Sequence, residues 1–190
     1  KNSIYVAQPT LPKYKTLEKR FRKIHDSKML SNFSEYSNEL EHIITELLSV
    51  KYALSVPSLT TGLMLTFKAL GIKGEVIVPS FTFSATGHAL IWNGLKPVFA
   101  DINPNTFNID VEDVEKKITE NTSAIVCVHI FGNPCDMDAL QALATKYGLK
   151  LIYDSAHALG SKCKGKSIGG FGNCEGFSLS GTKMITSAEG

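Results

Sequence analysis

From Tyr52 onward, short apolar runs alternate with longer amphipathic segments along the chain. The short runs have the length and composition of strands, and the segments between them have the period of helices. Parallel strands need such crossover segments, so the alternation predicts an α/β fold, a mostly parallel sheet covered by helices on both faces. The predicted strands are 52–56, 75–78, 96–99, 123–128, 149–153 and 174–179, and the predicted helices lie near 60–70, 83–92, 110–118 and 136–147.

Two helices are predicted before this alternation begins. The second of these helices is expected to begin at about Asn38, with Asn38 as its N-cap and Glu41 completing a capping box. We divide the chain into an N-terminal helical segment, 1–36, and an α/β domain, 37–190. The first helix is amphipathic, because its apolar residues recur at steps of three and four: Tyr14, Leu17, Phe21 and Ile24.

Three further boundaries are marked by turn-forming residues. Asp110 and Asp136 each precede a helical pattern and are predicted N-caps. The segment Lys162–Gly172 is rich in Gly and Lys and is predicted to form a turn or hairpin.

Composition excludes several classes of protein. The 190 residues carry a formal net charge of +2 and are 43% hydrophobic, as expected of one soluble globular domain. The lysines are dispersed and no apolar run is as long as a membrane span, so we expect neither nucleic acid nor a membrane as partner. The 4 cysteines lack C-x-x-C spacing, so no metal site is expected. The cysteine pattern, with Cys127 predicted as a small buried hydrophobic residue, and the lack of a visible signal peptide indicate a reducing cytoplasm.

Polar residues follow the carboxyl ends of several predicted strands. Ligands of open α/β sheets bind beyond the carboxyl ends of the strands. We therefore expect one binding site at this edge of the sheet. The segments that follow strand ends are Pro57–Thr61, Pro79–Phe83, His129–Gly132 and Asp154–His157.

Two residues near that edge suit one cofactor. Asp154 ends the apolar run Leu149–Tyr153, and Lys183 ends the later segment Phe177–Lys183. Pyridoxal phosphate needs a lysine to bind its aldehyde as a Schiff base and a carboxylate to keep its ring nitrogen protonated. Taken alone, Lys183 is more often a solvated loop lysine and Asp154 a turn cap.

Five blocks of the sequence closely resemble the DegT/DnrJ/EryC1/StrS sugar aminotransferases. The resemblance implies the fold-type-I large domain, a three-layer αβα sandwich, in a chain that stops before a small carboxyl-terminal domain. It also implies pyridoxal phosphate, transfer of an amino group from glutamate to a nucleotide-linked keto sugar in amino-sugar or surface-polysaccharide synthesis, and a homodimer. The blocks are Glu75–Thr86, Pro97–Ile102, His129–Asn133, Asp154–Gly160 and Phe177–Lys183.

The resemblance assigns phosphate binding to Thr60, Thr61 and Ser178. Thr60 and Thr61 open an apolar helix, and free N–H groups at a helix start are suited to phosphate. Simple capping by Ser58 or Thr60 is the alternative for this turn, and an ordinary strand serine is the alternative for Ser178. Leu59 departs from the family, which more often has glycine at this position.

The remaining assignments concern the cofactor ring. Lys183 matches the Schiff-base lysine, and Asp154 matches the partner of the pyridine nitrogen. Phe83 matches the aromatic residue that stacks on the ring, although core packing is the alternative for a lone Phe. His157 stands where relatives often have Gln facing the ring hydroxyl.

Three other functions remain open. Related sugar dehydratases commonly carry His in place of the lysine, so Lys183 favours transamination. A non-catalytic regulator with the same fold is disfavoured by Lys183 and Asp154. An unrelated oxidoreductase is disfavoured because the chain has no G-x-G-x-x-G turn.

Overall fold

The computed structural model describes residues 9–187, and these form two compact units. One unit consists of residues 9–55 and 179–187, and the other is Val56–Ser178. The predicted boundary after residue 36 does not coincide with this division and stays a prediction. No helix in the described range has the length and apolar character needed to cross a membrane.

The first unit contains helices α1 (Tyr14–Ser27) and α2 (Glu35–Leu48). Helix α1 is amphipathic as predicted, yet none of its residues is buried, and Tyr14 is 78% exposed. Helix α2 begins earlier than predicted, after the N-cap Ser34.

The predicted capping box of α2 was wrong. Asn38 lies inside the helix, where its side chain donates to the Phe33 carbonyl (3.2 Å). Glu41 instead accepts the backbone N–H and the hydroxyl of Ser55, both at 2.8 Å. The Asn-x-x-Glu pattern was satisfied by these longer-range partners, so it carried no information about the helix start.

The second unit is built on a five-stranded parallel sheet in the order β2-β1-β3-β4-β7. The predicted strand at 52–56 is wrong, because these residues form no regular structure. The last strand is shorter than predicted and ends before residue 177. The strands of the sheet are β1 (Glu75–Pro79), β2 (Lys96–Ala100), β3 (Thr122–Val128), β4 (Lys150–Asp154) and β7 (Cys174–Gly176).

Helices cover both faces of this sheet, so the predicted three-layer arrangement is confirmed. Alternate strand residues point to opposite faces and enter two separate apolar clusters. Helices α3 (Leu59–Ala69) and α4 (Ser84–Trp92) contribute to one cluster, and α5 (Val111–Lys117) and α6 (Met137–Tyr147) to the other. The strand residues facing α3 and α4 are Val76, Val78, Ala124, Val126 and Ile152, and those facing α5 and α6 are Ile77, Ile125, Cys127, Leu151 and Tyr153.

The predicted caps and hairpin are also confirmed. Asp110 accepts the N–H groups of Glu112 and Asp113, and Asp136 accepts that of Ala139. Strands β5 (Lys162–Cys163) and β6 (Lys166–Ser167) pair antiparallel. Their two linking residues both have positive φ, as a tight hairpin turn requires.

Candidate active site

The carboxyl ends of β3, β4 and β7 lie side by side. Val128 pairs with Asp154, and Asp154 pairs with Gly176. The His129 N–H donates to the Asp154 carbonyl (3.2 Å), and the Ser155 N–H donates to the Gly176 carbonyl (2.8 Å). These strands therefore bring the segments after them to one edge, where the sequence predicted a site.

The side chain of Asp154 is buried at this edge, with the residue only 5% exposed. Its Oδ2 accepts the hydroxyl of Thr86 at 2.7 Å, and its Oδ1 accepts the N–H of Ala156 at 3.2 Å. The second bond is the turn-capping role considered from the sequence, but burial and the Thr86 bond go beyond a surface cap. A buried carboxylate is stabilised by a cation as well as by hydrogen bonds. Asp154 thus fits a group that presents a protonated nitrogen.

Helix α3 begins with the residues predicted to bind phosphate. Ser58 is its N-cap and accepts the N–H of Thr61 at 3.2 Å. The hydroxyls of Ser58 and Thr61 lie 3.0 Å apart. Thr60 and Thr61 occupy the first turn and are half-buried. Ser58 therefore caps the helix, as one of the two alternatives for this turn required. The side chains of Thr60 and Thr61 still lie at the start of an 11-residue helix, where anions bind favourably.

The start of α3 packs against β7, because Gly176 has no side chain. A Cβ at Gly176 would collide with Leu59 Cδ1. The bulky Leu59, which departs from the family pattern, is accommodated in this way. Ser178, only 9% exposed, follows β7 by two residues. The packing therefore brings the first turn of α3 to the same edge as Asp154 and Ser178.

Two residues that were predicted to contact the cofactor ring are exposed near this edge. Phe83 directly precedes α4 and is 76% exposed, so core packing does not explain it. His157 is also exposed, and its ring is parallel to that of Phe131, with 6.4 Å between centroids and 5° between planes. Phe131 also contacts two further exposed rings, Phe81 and Phe107, at 6.3 and 6.5 Å. The sequence analysis did not single out this aromatic group.

A buried polar network lies behind the site, and the sequence analysis missed most of it. His129 directly follows the end of β3, as expected. It is also fully buried, and it stacks on Tyr153 with 4.9 Å between ring centroids. Its Nδ1 accepts the N–H of Cys135 (3.1 Å), so the ring hydrogen lies on Nε2. Nε2 is 3.5 Å from Glu175 Oε1, too poorly oriented for a hydrogen bond among the described residues.

Glu175 is a second buried carboxylate, with a side chain only 1% exposed. Its Oε1 accepts the hydroxyl of Ser155 at 2.5 Å, and its Oε2 accepts the N–H of Phe171 at 3.4 Å. This network holds the chain directly after Asp154 in place. The sequence signal for this network was a charged residue, Glu175, inside a short predicted strand.

Thr86 was also missed as a site residue, although it lies in one of the family-like blocks. It is fully buried and bonds directly to Asp154. The available signal was a hydroxyl residue on the helix side that carries Ala89 and Leu90, where a polar group needs a partner.

Two of the four cysteines, Cys127 and Cys135, are buried. Burial raises the pKa of Cys135 to about 12 and that of Cys127 well above its ordinary value. All four cysteines are free thiols. Within residues 9–187, no group of three or more His, Cys, Asp or Glu side chains is arranged to hold a metal ion.

Lys183 belongs to the other compact unit. It is half-buried, and its backbone N–H donates to the Ser180 carbonyl at 2.9 Å. Its assignment as the cofactor-binding lysine stays a prediction that depends on the sequence pattern around it.

Known proteins are similar to this chain in both sequence and fold. A dTDP-4-amino-4,6-dideoxy-D-glucose transaminase from Escherichia coli is 42% identical over 166 residues, which cover 87% of this chain and 45% of that enzyme. The crystal structure of DesI in the presence of its TDP-sugar product superposes with a TM-score of 0.94 at 42% identity, covering 97% of this chain and 47% of that one.

A dehydratase is also similar. Escherichia coli GDP-4-keto-6-deoxy-D-mannose-3-dehydratase with bound hydrated PLP has a TM-score of 0.88 at 30% identity, covering 99% of this chain and 50% of that one. The chain thus spans about half the length of the relatives it matches. Residues 13–190 match the model of the DegT/DnrJ/EryC1/StrS aminotransferase family. By sequence and by fold, the chain belongs to the DegT/DnrJ/EryC1/StrS aminotransferase family.

Proposed function

We propose that this protein is a pyridoxal phosphate-dependent aminotransferase that moves an amino group from glutamate to a nucleotide-linked keto sugar. The product would be an amino sugar used in surface-polysaccharide synthesis. The observation that carries the proposal is the buried Asp154 carboxylate at the shared edge of β4 and β7, next to the start of α3. Transaminases that act on dTDP-linked sugars are among the relatives, which supports the substrate class.

The residues of this edge fit the cofactor. Asp154 would bind the ring nitrogen, since it is a buried carboxylate at the carboxyl end of β4, and a buried carboxylate is stabilised by a cation. Thr60, Thr61 and Ser178 would bind the phosphate. Thr60 and Thr61 lie in the first turn of α3, and Ser178 follows β7, which packs against Leu59 at the start of that helix.

The ring and the aldehyde need further partners. Phe83 would cover the ring, since its exposed side chain has no core to pack in. His157 would contact the ring hydroxyl. Lys183 would bind the aldehyde carbon.

The protein's own residues would carry the proton transfers. When bound, pyridoxal phosphate supplies a ring that withdraws electrons from the substrate carbon. Lys183 Nζ takes the proton from Cα of glutamate in the first half of the reaction. In the second half it delivers a proton to the sugar carbon that receives nitrogen. Asp154 keeps its partner nitrogen protonated throughout, because its carboxylate stabilises the positive charge.

The homodimer and the cytoplasmic location are parts of the same proposal. The family resemblance supports a dimer with residues of both subunits at each site. Four free thiols support a reducing compartment.

Cofactor binding is the first test. We expect purified protein mixed with pyridoxal phosphate to develop the visible absorbance band of the lysine-bound cofactor, and Lys183→Ala to lose it. The matched control is Lys146→Ala, because Lys146 is an exposed lysine paired with Glu115. A wild-type protein without the band, or a Lys183→Ala variant that keeps it, would contradict the assignment and favour a regulator.

Product analysis is the second test, and it separates transamination from dehydration. We expect ¹⁵N from labelled glutamate to appear in the amino sugars formed from dTDP- or GDP-linked 4-keto-6-deoxy sugars. A product that has lost a hydroxyl and contains no ¹⁵N would identify a dehydratase instead. Asp154→Asn should retain the cofactor weakly and lose nearly all ¹⁵N transfer, whereas the exposed Asp138→Asn should not.

A further inference from the structure

We propose that Thr86 is a positioning residue, whose hydroxyl holds the Asp154 carboxylate in the orientation and charge state that a protonated ring nitrogen requires. This inference rests on the proposed function, because it concerns the same cofactor edge. It goes beyond the proposed function by assigning a role to two threonines that act through Asp154. Thr82 supports Thr86 in this role.

The hydrogen bonds at Thr86 have a defined direction. The Thr86 hydroxyl donates to Asp154 Oδ2 at 2.7 Å, and Thr86 is fully buried. A hydroxyl has a single hydrogen to donate. The Thr82 hydroxyl, 2.9 Å from that of Thr86, must therefore be the donor in their bond. The two threonines form a short relay, Thr82 to Thr86 to Asp154, in which every donor points toward the carboxylate.

Helix α4 fixes Thr86, the middle member of this relay. The Thr86 N–H donates to the Phe83 carbonyl at 3.0 Å in the first turn. One turn further along the helix, Ala89 and Leu90 are fully buried in the apolar layer. A β-branched threonine in a helix also has few allowed rotamers. The hydroxyl is thus held by a rigid element rather than by a loop.

The chemical consequence concerns one shared proton. A donor bonded to a carboxylate stabilises the anion, so the proton between Asp154 and a ring nitrogen stays on the nitrogen. The first turn of α4 adds a smaller effect of the same sign, because helix starts favour negative charge. Without the Thr86 hydroxyl, the proton moves toward Asp154 and the ring withdraws electrons less strongly.

The test compares Thr86→Val with Thr86→Ser in the cofactor-loaded protein. Val keeps the shape and removes the donor, whereas Ser keeps the donor. We expect the ¹⁵N resonance of ring-labelled pyridoxal phosphate to shift toward the unprotonated value in Thr86→Val and to stay at the wild-type value in Thr86→Ser. The matched control is Thr145→Val, which removes an exposed helix hydroxyl on α6.

Kinetics give an independent readout. Loss of a hydrogen bond to a charged group should lower kcat about ten- to one-hundredfold in Thr86→Val. The KM for glutamate should not change, because Thr86 lies behind Asp154 rather than on the substrate side. A role confined to stability would lower the amount of folded protein without moving the ring ¹⁵N resonance.

Each outcome decides the matter. An unshifted ¹⁵N resonance with wild-type kcat in folded Thr86→Val would overturn the inference. If that variant does not fold, Thr82→Val replaces it, with a smaller shift expected in the same direction and an unchanged resonance counting against the relay. A wild-type protein that binds no pyridoxal phosphate would instead sink the proposed function itself, and this inference with it.

Discussion

At the scale of single residues, substitution by alanine is expected to change the free energy of unfolding in opposite directions at two glycines. Gly172 has φ +65°, and a Cβ there would lie 2.6 Å from the Leu151 carbonyl oxygen. Gly87 lies within α4, and a Cβ there would meet nothing within 4 Å.

Gly172→Ala should lower the free energy of unfolding by about 2 to 5 kcal/mol, from left-handed strain and overpacking combined. Gly87→Ala should raise it by about 0.5 to 1 kcal/mol, because glycine weakens a helix interior. Urea titration of both variants measures these changes. Shifts of the same sign would show that the packing around one of the two sites differs from that described.

At the scale of elements, Asp113 links α5 to the end of β2. Its Oδ2 accepts the Asp101 N–H at 2.7 Å, and Lys117 lies 3.2 Å away. These donors lower the pKa of Asp113 below its ordinary value of 3.8. A lowered pKa in the folded state means that this stabilisation is complete above pH 3.8 and is lost as the pH falls through the folded value.

Asp113→Asn should therefore be less stable than wild type at neutral pH, and the difference should shrink as the pH falls below 3.8. Urea midpoints measured along a pH series check this. Glu120→Gln is the control, because it removes one carboxylate charge at an exposed position. A gap between wild type and Asp113→Asn that widens in acid would contradict the account.

At the scale of the whole molecule, burial is unevenly distributed. None of the residues of α1 is buried, and α2 buries only Leu48. The central strands β1, β3 and β4 are buried along most of their length. Since opening a segment costs less where fewer apolar contacts are lost, amide exchange should be fastest in the two N-terminal helices.

Hydrogen exchange followed by mass spectrometry measures this difference. We expect peptides from α1 to exchange within the earliest times and peptides from β3 to remain protected longest. Peptides from α6, which buries Leu140 and Leu143 on the sheet, should lie closer to β3. Equal protection of α1 and β3 would mean that α1 is covered by contacts absent from the described residues.

Local patterns were reliable where neighbouring residues alone decide the structure. The caps Asp110 and Asp136 act within one turn of their own position. The hairpin at Lys162–Ser167 depends on two adjacent turn residues. The predicted strand at 52–56 and the capping box at Asn38 failed, because an apolar run needs a pairing strand and a side chain takes whichever partner the fold brings near.

The amino-acid sequence by itself determined the α/β class, the alternation of strands and helices, and the edge at which the candidate site lies, since the periods of strands and helices follow from short-range patterns. The partners of Asp154 were decided only by the tertiary structure. Thr86 approaches it from α4 after β1, and Glu175 supports Ser155 from the neighbouring strand β7. Such contacts join residues far apart in the chain, and only the packing of helices on the sheet brings them within hydrogen-bond distance.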